Sequence, residues 1–140
     1  MKKSTDISDF IKGLTLKKFY ISSIAASREE NFNPPAKIKI ENEKDFEETE
    51  NGNIAMHVHY LLSAVEKTKK EPGFTISVTY ILVYRSEAKI TKTIFKKFSK
   101  SLDVETWPYF RNLVNELTMR MGLPPLVLDI LKIIPKESKD

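Results

Sequence analysis

The sequence predicts an α+β fold: a four-stranded antiparallel sheet with a long crossover after the first strand, followed by two helices packed on one face. Three observations carry this expectation. Four segments alternate apolar and polar residues with a period of two, the mark of a half-buried strand. Short turn-rich stretches separate the last three, whereas a stiffer passage containing Phe32 and Pro34-Pro35 follows the first. After the fourth segment the apolar spacing changes to three and four, and strands followed by helices sort into α+β rather than alternating α/β folds.

Residues 1–13 read as a flexible arm, in which 7–12 form a turn of helix or an irregular stretch ended by Gly13. The sheet is expected over 14–84. Residues 14–25 form its first strand, and the apolar phase moves from Leu14 and Leu16 to Phe19 and Ile21 across Lys17-Lys18. A bulge at that lysine pair would keep all four side chains on one face. Ala36, Ile38 and Ile40 alternate with Lys37, Lys39 and Glu41 in the second strand. Ile54, Met56, Val58, Tyr60 and Leu62 mark the third, and Phe74, Ile76, Val78, Tyr80, Leu82 and Tyr84 the fourth.

Asn51-Gly52 is a signal for a two-residue hairpin. That loop would set Ile54, Met56 and Val58 opposite Thr49, Glu47 and Asp45, burying charge. The ladder should therefore depart from it through a three- or five-residue loop or a bulge. The second hairpin, 66–73, should have a mobile, solvated, lysine-rich tip ending in Pro72-Gly73.

Helices are expected over 89–122. In the first, Ile90, Ile94, Phe95, Phe98 and Leu102 form a stripe backed by Lys89, Lys92, Lys96, Lys97 and Lys100. The second has Asp103 or Thr106 as its cap, Pro108 in the first turn where a missing N–H costs nothing, and Gly122 as its stop. It buries Phe110, Leu113, Val114, Leu117 and Met121, with Arg111, Asn112, Asn115, Glu116 and Arg120 on the other face. Pro124 and Pro125 forbid further helix, so 123–140 begins as an extended apolar strap and ends in a polar tail.

Composition narrows the function. A chain of 140 residues with 41% hydrophobic content is expected to form a single domain, 1–140, with a real core. There is no cysteine for a disulfide or thiolate metal site, and no segment approaches a membrane span, so a soluble cytoplasmic protein is expected. His57 and His59 share one strand face, but a metal would need a carboxylate such as Asp45 or Glu47 as well. Two histidines on a polar sheet face are the simpler reading, and neither a metal nor a cofactor is expected. No Gly-x-Ser-x-Gly motif or phosphate-cradling loop occurs, and the carboxylates of 41–50 fit a solvated hairpin tip, so an enzyme is not expected.

The lysine-backed helix admits packing on the sheet or another subunit, nucleic-acid contact, or membrane-surface binding. Packing is favoured because the lysines are not interleaved with exposed aromatics. Leu126, Leu128, Ile130, Leu131, Ile133 and Ile134 form an apolar C-terminal segment that one small sheet need not cover. Each is worth roughly 1.5–3 kcal/mol when buried, so several left exposed require a second copy or a ligand.

Trp107-Pro108-Tyr109-Phe110-Arg111, with Gly122-Leu123-Pro124-Pro125-Leu126-Val127-Leu128 about ten residues later, resembles the aromatic-Pro-Tyr-Ala-Arg helix and Gly-x-x-Pro-x-Leu loop of the SecB family of export chaperones. The likeness covers 14–135, with 107–128 its distinctive part. It implies a homotetramer, a dimer of dimers, whose grooves hold unfolded or precursor proteins for protein export without ATP. On that basis the client groove falls on Phe32, Ile38, Ile40, Leu126, Leu128 and Ile130, although core packing is the simpler reading of each alone. An oligomer interface falls on Ile94, Phe95 and Phe98. The family also offers carboxylates to the SecA motor, whereas the corresponding positions here are Ser23, Ser27 and Ser77 in a chain of net charge +4. Lost complementarity sets SecA in doubt as a partner and favours a divergent holdase, general or dedicated to one client such as an antitoxin. The rivals are a basic adaptor binding nucleic acid through 89–100 and a purely structural subunit. Neither nucleic-acid binding nor membrane insertion is expected.

Overall fold

The computed structural model describes residues 7–129. Its elements are α1 (Ile7–Lys12), β1 (Leu14–Arg28), β2 (Ala36–Glu48), a 3-10 turn (Glu50–Gly52), β3 (Asn53–Glu66), β4 (Phe74–Ser86) and α2 (Lys92–Arg120). The strands form one antiparallel sheet in the order β1-β4-β3-β2, so the crossover 29–35 carries the chain from one edge to the other. This is the α+β fold class read from the sequence, except that one continuous helix stands where two were expected.

The registers explain the apolar pattern. β1 shifts between Leu16 and Lys18, where the phase change requires it, and again between Ile21 and Ser23. The second shift keeps Ile24 and Ala26 on the face of Phe19 and Ile21, opposite Val78 and Ile76. In the β2–β3 hairpin Glu48 pairs with Ile54, Phe46 with Met56 and Lys44 with Val58. Even residues thus meet even residues, as the charge argument demands. The Thr49 N–H donates to the Asn53 carbonyl at 2.8 Å, and Asn51 and Gly52 take left-handed φ values of 69° and 76° to close the tip.

Helix α2 starts at Thr91, whose side chain accepts a hydrogen bond from the Ile94 N–H at 3.1 Å. Buried Ile90 and Phe95 occupy the two positions of a hydrophobic staple around that cap. The helix does not restart at residue 103 or 106. Asp103 turns instead to β2, accepting from Lys44 Nζ at 2.9 Å and Asn42 Nδ2 at 2.7 Å. Thr106 is fully buried, donates to the Leu102 carbonyl at 2.8 Å and meets the Tyr60 hydroxyl at 2.8 Å. Pro108 leaves the Val104 carbonyl without a helical donor, but both residues lie on the exposed side where water can serve it. The end is a Schellman motif: Gly122 at φ 77°, with Leu123 N–H on the Thr118 carbonyl at 2.9 Å and Gly122 N–H on Met119 at 3.2 Å.

The core lies between α2 and the even-numbered face of β3 and β4, with Leu102, Phe110 and Val114 against Tyr60, Leu62, Val78 and Tyr80. Residues 7–12, expected as part of an arm, form α1, whose fully buried Phe10 meets Phe98 edge-on at 5.8 Å. Ile94, Phe95 and Phe98 also lie in this core, Phe95 against Phe46 at 4.7 Å. Larger exposed apolar side chains, such as Leu16, Ile21 and Ile24 on β1, lie elsewhere.

Buried tyrosines give this core an alkaline limit. Burial pushes the Tyr80 and Tyr84 phenols up to about 12, with the Glu105 charge adding to the second, and raises Tyr60 still further. Unfolded tyrosine ionises near pH 10, so above that pH the unfolded chain releases protons the folded chain keeps. Stability is intact below pH 10 and falls as pH rises towards 12, by about 1.4 kcal/mol per pH unit for each such tyrosine. Thermal melts from pH 9 to 12 should show this fall, with a smaller slope in Tyr84→Phe. An unchanged slope in that variant would rule out its contribution.

Candidate functional site

The extended chain after Gly122 doubles back along α2 and is tied down by one helix stripe. Thr118 Oγ1 accepts from the Leu126 N–H at 3.0 Å, and Asn115 Nδ2 donates to the Leu126 carbonyl at 3.4 Å. Arg111 Nε donates to the Leu128 carbonyl at 2.8 Å and Trp107 Nε1 to that of Asp129 at 2.9 Å. Arg111 and Asn115, expected on a solvated face, therefore hold the strap. Among the described residues the strap pairs with no strand of the sheet, so helix side chains satisfy its carbonyls.

A second set of bonds fixes the crossover. Arg28, the last residue of β1, donates from Nη1 to the Met121 carbonyl at 2.7 Å, where helix dipole and guanidinium charge agree. Its Nη2 reaches the carbonyls of Phe32 at 3.3 Å and Glu30 at 3.4 Å, and its Nε that of Glu29 at 3.2 Å. One side chain thus joins the crossover to the end of α2.

Between crossover and strap remains a cleft of about 200 Å³, bounded by Phe32, Pro34, Ala36, Ile38, Ala64, Phe74, Thr118 and 123–126. Of the residues expected at a groove, Phe32, Ile38 and Leu126 come together here. Ile40 lies next along β2, outside the lining. Leu128 is 9% exposed and packs into the core, and Ile130 lies outside the described residues. Pro34, Ala36, Ala64, Phe74, Thr118 and 123–125 complete the walls. The alternation that makes Ala36, Ala64 and Phe74 strand residues also aims them at this face, but only the crossover's position shows that they border an opening.

Gly73 lies against the Phe32 wall of the cleft and leaves no room for a side chain. A Cβ there would overlap the Phe32 ring, which stacks on Phe74 at 6.2 Å and is held by the Arg28 clamp. Gly73→Ala is expected to cost about 1–3 kcal/mol as an overpacking change and to displace Phe32. Denaturation and the NMR shifts of the Phe32 ring check this; unchanged ring shifts would refute it.

Other candidates do less. His57 Nδ1 meets Asp45 Oδ1 at 2.9 Å, whereas His59 Nδ1 meets Thr79 Oγ1 at 2.8 Å. No group of three or more potential metal ligands gathers among the described residues. Lys89, Lys92, Lys96, Lys97 and Lys100 are all exposed. Among the described residues no helix is long and apolar enough to cross a membrane.

No family model matches the sequence, and neither does any curated protein. The solved structure of the Mycobacterium tuberculosis SecB-like chaperone Rv1957, in complex with a ChAD peptide from the HigA1 antitoxin, matches with a TM-score of 0.72, covering 89% of this chain and 95% of that one at 16% identity. The chain has a SecB-like fold. A Streptococcus agalactiae protein of unknown function matches at a TM-score of 0.44 and 12% identity, over 84% of this chain and 97% of that one. Within the SecB-like fold, the aromatic-Pro-Tyr-x-Arg helix and Pro-Pro strap are the two sides of one fastening, Trp107 and Arg111 donating to the strap's carbonyls. Ser23, Ser27 and Ser77 fall on the sheet face away from α2, in the ladder with Thr79, Thr75 and Ala25. The carboxylates of that face, Glu41, Glu43, Asp45 and Glu47, lie on the β2 edge.

Proposed function

We propose that this protein is a cytoplasmic, ATP-independent holdase that grips non-native polypeptides in the cleft between crossover and strap. The open apolar cleft carries the reading: Ile38 remains 38% exposed on β2 and Pro124 and Pro125 are exposed on the strap, so the chain does not close over its own apolar walls. An apolar slot with few polar groups suits extended segments of varied sequence and offers no catalytic group. The test is suppression of aggregation of a chemically unfolded client at stoichiometric protein without nucleotide. No suppression across several clients rejects the function.

The same reading includes self-association, as a dimer or dimer of dimers. Leu16, Ile21 and Ile24 on β1 and Tyr109 on α2 are 42–55% exposed beside a second opening of about 260 Å³. A second copy packed there would cover them. Light scattering should report an oligomer that Ile21→Glu weakens.

A dedicated client is the second reading, favoured by the antitoxin peptide held by the SecB-like neighbour. A role in export through SecA is less supported, because a basic partner would meet hydroxyls at Ser23, Ser27 and Ser77. Binding of nucleic acid through the lysine face would weaken steeply with salt, whereas apolar binding in the cleft would not.

A further inference from the structure

The outer edge of β2 borders the cleft, and the phase of its hydrogen bonds follows from the hairpin. The Thr49 N–H bonds the Asn53 carbonyl, and the register then runs without a shift to the pair of Ala36 with Glu66. In an antiparallel ladder hydrogen-bonded and non-hydrogen-bonded pairs alternate. Odd residues of β2, including Lys37 and Lys39, therefore spend their backbone groups on β3. Ala36, Ile38 and Ile40 turn their N–H and C=O groups outward, and no strand among the described residues pairs with that edge.

The side chains of these even residues lie on the helix face, where Ala36 and Ile38 line the cleft. Free backbone groups and apolar lining thus occur on the same residues, side by side. The opposite edge differs, since two register shifts interrupt β1.

Resting on the reading of the cleft as a polypeptide site, we propose that a bound client adds to the sheet as a fifth strand along Ala36, Ile38 and Ile40. Alternate client side chains then enter beside Ile38, towards Phe32 and Leu126. The intervening ones stand on the open face beside exposed Lys37 and Lys39, the latter weakly paired with exposed Glu41 at 3.5 Å. Charge complementarity selects an occupant whose inward positions are apolar and whose outward positions are acidic. Backbone hydrogen bonds supply affinity without reading sequence, and the alternating side chains supply preference.

The experiment uses a capped nonapeptide alternating leucine and glutamate, with amide exchange followed by NMR on the full chain. Saturation should slow exchange at Ile38 and Ile40 roughly tenfold or more while changing Lys37 and Lys39 less than about twofold. N-methylating the peptide at residues of one parity should weaken binding about tenfold, and at the other parity hardly at all. Equal effects at both parities, in a peptide whose binding Ile38→Asp still abolishes, would overturn strand addition and leave the cleft standing. A peptide indifferent to Ile38→Asp would overturn the cleft as well. Protection of Ile38 and Ile40 that grows with protein concentration in the absence of peptide would assign the edge to a second copy and overturn the proposal.

Discussion

Phe110→Ala is expected to destabilise the chain by about 3–5 kcal/mol, the range for removing a fully buried phenylalanine. Phe110 is 0% exposed, stacks on Tyr60 at 4.4 Å and 12°, and meets Trp107 at 5.8 Å. Tyr60 cannot collapse into the space left, because its hydroxyl is held by Thr106 at 2.8 Å. The cavity should persist, which places the loss towards the upper end. A melting temperature lower by about 10–15 °C follows for a chain of this size. Denaturant titration should show a lower midpoint with the same slope. Tyr109→Ala, one residue away at 55% exposure and meeting Phe19 edge-on at 4.9 Å, should cost less, about 0.5–1.5 kcal/mol. A loss below about 1 kcal/mol for Phe110→Ala would mean that the helix does not seat its core on Tyr60.

Ile38→Asp should have the largest effect on binding. The side chain is half in water in the free chain, so the substitution should cost less than about 1 kcal/mol of stability. Against a bound apolar segment the carboxylate would be desolvated among Phe32, Pro34 and Leu126 with no partner in the cleft lining. A penalty of about 3 kcal/mol or more corresponds to at least a hundredfold loss of affinity. Ile38→Val, which removes one methylene, should lose only a few fold. Anisotropy of a labelled apolar peptide and aggregation suppression should fall together in the Asp variant. A folded Ile38→Asp protein with undiminished binding would place the client elsewhere.

How much of this can be read from the sequence differs by element. The bulge at Lys17-Lys18 and the even-to-even hairpin follow from alternation, because a strand must put its apolar residues on one face. The shift near Ser22 is less visible, since only Ile24 and Ala26 remain to mark the new phase. Pro108 suggests a helix start, but the stop it implies fails when the unserved carbonyl faces water. Burial of Leu102, Thr106 and Phe110 on one side then favours a single rod. Arg111 and Asn115 are polar because they hold a strap, and a residue type alone does not separate that role from solvation. For the same reason Phe32, Ile38 and Leu126 can be read as a wall, while Leu128 turns inward. Ile94, Phe95 and Phe98 are apolar enough for an interface, yet all three are buried within this chain, Phe95 against Phe46 and Phe98 against Phe10 and Tyr84.

The order β1-β4-β3-β2 puts the exposed apolar residues of β1 and the cleft beside β2 at opposite margins of one sheet. Three strand spacings, about 14 Å, lie between them. On the proposed function, assembly at one margin and loading at the other would be separate events: dilution that lowers the mass seen by light scattering should leave the capacity of each chain for a client unchanged.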